Sequence, residues 1–85
     1  PAVSLEELER TCVLLRVNGW KKGRQKRIYC TTNMADFCYD LNEHVWNVVR
    51  NKTSRDLDIN ALAGFVLNRL GLSLPDFQTK YAPPA

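Results

Sequence analysis

Five cations crowd into seven residues at Lys21, Lys22, Arg24, Lys26 and Arg27, with Trp20 before them and Tyr29 just after. Lysine and arginine bind phosphate oxygens and release the counterions condensed on a nucleic acid. That attraction grows with each contact and is indifferent to base sequence. Aromatic neighbours can stack on bases or anchor such a loop to the body of the domain. A looser set, Arg50, Lys52 and Arg55, follows later in the chain and offers secondary backbone contacts. The same run satisfies a nuclear import signal equally well. A third reading is a solvated loop that keeps the domain soluble.

Other constellations are weaker. The only histidine, His44, stands beside Glu43 and shortly after Asp40. Cys38 and His44 share the segment expected to be helical, where six residues turn their directions about 120° apart, so they do not pair as nucleophile and base. A zinc site would draw on Cys30, Cys38 and His44, with Cys12 as a fourth ligand. The pattern C-x7-C-x5-H lacks the close ligand pairs of structural zinc sites. Gly19 and Gly23 fit neither a dinucleotide nor a Walker phosphate loop. Asp36 and Asp40 read as acids complementing a helix N-terminus. No catalytic residue, metal, cofactor or small-molecule substrate is therefore expected, and the three cysteines read as buried structural thiols.

The elements that position the run follow from spacing. Ser4 and Glu7 form a capping box, and Leu5, Leu8, Cys12 and Leu15 mark one face of a first helix that closes at Asn18-Gly19. The competing reading is a strand over 12–17 opening a hairpin at Asn18-Gly19. Residues 20–32 are irregular, a basic loop or short hairpin, and a strand at 27–31 would make the loop protrude as an arm. Thr32 or Asn33 caps a second helix, whose stripe is Met34, Phe37, Cys38, Leu41, Val45, Val48 and Val49, with Trp46 beside it as a core element. Asp58 caps a third helix over 59–70, ended by Gly71. Pro75 starts a short final turn that carries Phe77 and Tyr81.

These readings predict a mainly α fold: a bundle of three amphipathic helices plus a short C-terminal helix, forming a single domain over 1–81. The tail 82–85 reads as a linker into a larger protein. With 85 residues, 45% of them hydrophobic, the chain can bury one core and no more. No apolar stretch approaches the ~20 residues of a membrane span. An odd cysteine count and an N-terminus without a basic region argue against a secreted disulfide scaffold. The net charge of +3 divides into +5 on the run and, with seven cations against nine acids elsewhere, −2 on the body.

The sequence therefore points to a non-catalytic nucleic-acid-binding module of a larger nuclear protein, DNA ahead of RNA. It docks on phosphate backbone through Trp20, Lys21, Lys22, Arg24, Lys26, Arg27 and Tyr29, with Arg50, Lys52 and Arg55 in support. A standard helix-turn-helix reader carries basic residues on its last helix, whereas 59–70 holds only Arg69. The alternative is a protein-interaction or self-association domain of a transcription or chromatin protein, with the run as its import signal. Its support is a surplus of large apolar residues: Phe65, Leu72, Leu74, Phe77 and Tyr81.

Overall fold

A computed structural model describes residues 2–19 and 26–82. The element order is α1 (Leu5–Thr11), β1 (Arg16–Gly19), β2 (Arg27–Thr31), β3 (Ala35–Asp40), β4 (Val45–Asn51), α2 (Ile59–Leu70) and α3 (Leu74–Tyr81). The four strands form one antiparallel sheet in the order β1-β2-β3-β4. This is an α+β fold, which overturns the expected helical bundle.

The correction is largest at 34–51, where the expected second helix is the β3–β4 hairpin. Phe37 and Cys38 would share one stripe on a helix. On a strand, successive side chains point to opposite faces. Phe37 lies opposite inward-facing Cys30, and Cys38 lies opposite Tyr29 on the other face. Both are buried, one from each side, and that double burial imitated a helical stripe. Phe37, Tyr39, Val45, Trp46, Val48 and Val49 are aromatic or β-branched and favour a pleated surface. The turn is closed by Asp40, whose Oδ1 accepts the backbone N–H groups of Asn42 (2.8 Å) and Glu43 (2.9 Å). His44 takes a left-handed φ of 58° to rejoin the ladder.

The first helix is shorter than expected and ends at Thr11. A strand does follow, but as β1 from Arg16 and not over 12–17, and Asn18 and Gly19 lie within its ladder opposite Tyr29 and Ile28 instead of opening a turn. Ser4 does cap α1, accepting Glu7 N–H at 3.2 Å, but the Glu7 carboxylate turns to Arg55 instead of closing the capping box. Thr32 supplies the cap chemistry expected of it in a different structure. Its Oγ1 accepts the N–H groups of Met34 and Ala35 and so ties the β2–β3 turn.

Two helices stand where the spacing put them. Asp58 caps α2 by accepting from Asn60 and Ala61, and Gly71 ends it with φ 67°, a conformation that costs glycine nothing. In α3, Ser73 is the cap and Phe77 the buried residue.

All three helices turn their buried residues to one face of the sheet. Leu8, Leu62, Phe65, Val66 and Phe77 meet Ile28, Cys30, Phe37 and Tyr39 in a single core. Burying each large apolar side chain is worth about 1.5–3 kcal/mol. Trp46 joins this core, stacked on Phe77 with ring centres 5.4 Å apart. Cys12, Cys30 and Cys38 are buried free thiols.

Candidate nucleic-acid interface

The opposite face of the sheet is polar, and strand register assigns its residues. One cross-strand row reads Arg16, Thr31, Asp36, Arg50. The next reads Asn18, Tyr29, Cys38, Asn47, and the third Arg27, Asp40, Val45. Arg16, Asn18, Asn47 and Arg50 stand exposed on it. Strands lie about 4.8 Å apart, so the backbones of Arg16 and Arg50 are separated by about 14 Å. Alternation places them there: Val17 and Trp46 point into the core, and their neighbours along each strand point out.

The carboxylates of this face are neutralised within it. Asp36 meets Lys52 at 3.0 Å, and Lys52 also donates to the Thr32 carbonyl at 2.9 Å. Asp40 accepts from Arg27 Nε at 3.4 Å. The backbone N–H of Glu43, then that of Asn42, then Arg27 hold the Asp40 carboxyl below the usual carboxylate range against the opposing effect of burial. Hydrogen bonds to Tyr29 and Asp40 raise the Arg27 guanidinium above its ordinary value, so it stays charged at every accessible pH. A guanidinium carries five donors, more than these two contacts use.

Burial pushes the Cys30 thiol up to about 12 and the Cys38 thiol in the same direction. Thiols held protonated in this way are poor nucleophiles and poor metal ligands. No group of three His, Cys, Asp or Glu side chains among the described residues could hold a metal ion.

The expected contact residues divide three ways. Trp20, Lys21, Lys22 and Arg24 lie outside the described residues. Lys26 is exposed at the threshold of β2, where its carbonyl accepts from Leu41 N–H at 2.8 Å. Arg27, Tyr29 and Arg50 lie on the polar face, with Lys52 at its edge. Arg55 does not join them. Its two terminal nitrogens grip both oxygens of Glu7, with Nη1 to Oε2 at 3.0 Å, which clamps the 53–57 connector to α1. The secondary set Arg50, Lys52 and Arg55 is therefore not one surface: Arg50 is exposed, and the other two hold the fold together.

Arg16, Asn18 and Asn47 were missed because both segments were expected to be helical. The usable signal was the period-two alternation of Leu15 and Val17 with Arg16 and Asn18. β1 ends at Gly19, opposite Ile28, and the last residue of the run, Arg27, opens β2 in the third row of the polar face.

At the helical side, Glu9, Phe65, Asn68 and Arg69 line a shallow pocket of about 290 Å³ between α1 and α2. Neither a protein-family model, nor a curated protein, nor a solved structure matches this chain.

Proposed function

We propose that this domain is a non-catalytic nucleic-acid-binding module that docks electrostatically on phosphate backbone. The observation that carries the reading is continuity. Residues 21–27, with a charge of +5, lie in the chain between β1 and β2 and end at Arg27, which stands on a sheet face that also bears Arg16 and Arg50. Contacts of this kind supply affinity more readily than base specificity. A nuclear location belongs to the same proposal, since the run also has the composition of an import signal.

The test is a salt titration of a labelled duplex and a labelled single strand against the wild type and a variant with Lys21, Lys22, Arg24, Lys26 and Arg27 changed to Ala. If all five touch phosphates, the salt slope becomes shallower by about 4.5 on duplex and about 3.5 on single strand. Absence of binding at low salt refutes the proposal.

A second reading, self-association, loses its original support. Phe65 and Phe77 are buried, and Leu72, Leu74 and Tyr81 pack half-buried against the same core. It gains a different one, because the edge strand β4 exposes Val45, Val48 and Val49. Edges of this kind template pairing with another chain. Light scattering over a concentration series separates the two readings.

A further inference from the structure

We infer that β4 is a self-pairing edge: it adds antiparallel to β4 of a second copy and joins two four-stranded sheets into one of eight strands. This rests on the exposed edge of the second reading above, names its partner and register, and does not depend on the nucleic-acid reading.

The two edges of the sheet differ. β1 is four residues long, and the end of α3 closes over it at Gly19, where a Cβ would meet the Tyr81 carbonyl. β4 is seven residues long, carries neither proline nor carboxylate, and exposes every residue but Trp46. Short or covered edges resist pairing, and long open ones invite it. The backbone of β4 has groups to offer. Lys52 N–H bonds the Met34 carbonyl at 2.9 Å, and bonded pairs alternate along an antiparallel ladder, so Arg50 faces β3 and Asn51 turns its backbone outward. On β3, Ala35 and Leu41 bond to the β2 side. That leaves Asp36, Cys38 and Asp40 to bond β4 and turns the backbone of Trp46 outward too.

The pattern along β4 identifies the partner as the same strand. Val45, Asn47 and Arg50 lie on the polar face, and Trp46, Val48 and Asn51 on the core side. Between Val48 and Arg50 a bulge leaves Val49 without a cross-strand partner and 57% exposed. The order of faces therefore reads the same from either end about the Val48–Val49 bond. An antiparallel copy centred there sets Asn47 opposite Arg50, Trp46 opposite Asn51 and Val48 opposite Val49. Polar face meets polar face and core side meets core side, whereas a slip of one residue sets one against the other.

Charge agrees with this register. The side-chain carbonyl of Asn47 accepts from the Arg50 guanidinium of the copy. The two Arg50 residues stand about 10 Å apart along the strands, not face to face. The two-fold axis of such a pair runs perpendicular to the sheet, so both polar faces lie on one side and both sets of helices on the other. The outer edges are then two copies of short, covered β1, and the assembly closes at two chains.

The experiment is sedimentation equilibrium of the protein alone over a concentration series. The proteins are the wild type, Asn47→Asp, Asn47→Arg and Val49→Lys, with circular dichroism confirming each fold. The wild-type mass should climb with concentration from 9.8 kDa toward twice that value and stop there. Asn47→Asp places a carboxylate opposite each Arg50 and should tighten association roughly 2- to 30-fold through two cross-strand ion pairs. Asn47→Arg should loosen it by a similar factor. Val49→Lys, which sets two like charges at the axis, should return the mass to that of one chain. Hydrogen exchange at the Trp46 and Asn51 amides should slow as concentration rises, while β1 amides keep their rates.

A mass of one chain at every concentration overturns the inference, and so does growth beyond two copies. A dimer that Asn47→Arg and Val49→Lys leave unchanged in folded protein pairs elsewhere and overturns it. Trp46 and Asn51 amides that exchange as fast in the dimer as in the monomer overturn it too, and this wild-type measurement decides if a variant fails to fold. No nucleic acid is present, so either result leaves the reading of 21–27 standing, and a failed salt titration leaves this pairing standing.

Discussion

Removing the Phe77 ring should bring this domain to the edge of unfolding. The side chain is fully buried, and three rings meet around it: Trp46 stacks at 5.4 Å, Tyr81 tilts at 5.3 Å, and Tyr39 presents an edge at 6.5 Å. A buried phenylalanine hides at least ~150 Å². At about 25 cal/mol per Å² that gives close to 4 kcal/mol. Measured Phe→Ala losses in cores run about 3–5 kcal/mol, in agreement.

The whole domain, at roughly 0.05–0.15 kcal/mol per residue, has only about 4–13 kcal/mol to lose. Phe77 is also the buried residue of α3, so its loss frees that helix and weakens the 2.7 Å hydrogen bond from Gln78 to the Tyr39 hydroxyl. Phe77→Ala should therefore lower Tm by about 12 °C or more, at 4–8 °C per kcal/mol for a chain of this size. It should also collapse the near-ultraviolet circular dichroism that these packed rings generate. Phe77→Leu, which keeps most of the volume, should fall between. A loss below about 1 kcal/mol with an unchanged aromatic spectrum would refute the docking of α3 on the sheet.

Gly19→Ala should cost about 1–3 kcal/mol, because a Cβ there would collide with the Tyr81 carbonyl that closes over the end of β1. In a background truncated before Thr79 the same substitution should cost almost nothing, and an equal cost in both backgrounds would exclude that contact as the cause. Acid should loosen the chain through two carboxylates. Arg55 holds Glu7, and chiefly the Glu43 N–H holds Asp40, below their ordinary values. A depressed folded-state pKa contributes stability above the unfolded value and loses it as pH falls through the folded one, so urea midpoints should drop below about pH 4. Glu7→Gln should remove part of that acid dependence while lowering stability at neutral pH. Alkylation of Cys30 and Cys38 at mildly alkaline pH should proceed only as fast as the domain opens, since burial raises both thiols. Rapid modification in the absence of denaturant would contradict the packing described.

Local chemistry was legible wherever the structure that answers it is local. Asp58 and Gly71 bound α2 because a cap and a left-handed stop act within one turn of chain. Ser4 accepts from Glu7 for the same reason, and the buried state of the three cysteines followed from residue type. Tertiary structure decided the rest. Phe37 and Cys38 are apolar neighbours, and only a sheet with one strand on each side can bury both on opposite faces. The same pairing turned 34–51 from an apparent helix into a hairpin.

Tertiary structure also sorted the cations, a question spacing could not answer. Arg55 meets Glu7 across 48 positions of chain, and Lys52 meets the Thr32 carbonyl across 20. Arg16 and Arg50, read as members of two separate helices, stand at opposite ends of one cross-strand row. The sequence by itself determined that the positive charge is concentrated in one run, because charge is a property of residue type. Which other cations share a surface with that run was decided by strand register, because register alone sets which face of the sheet a side chain occupies.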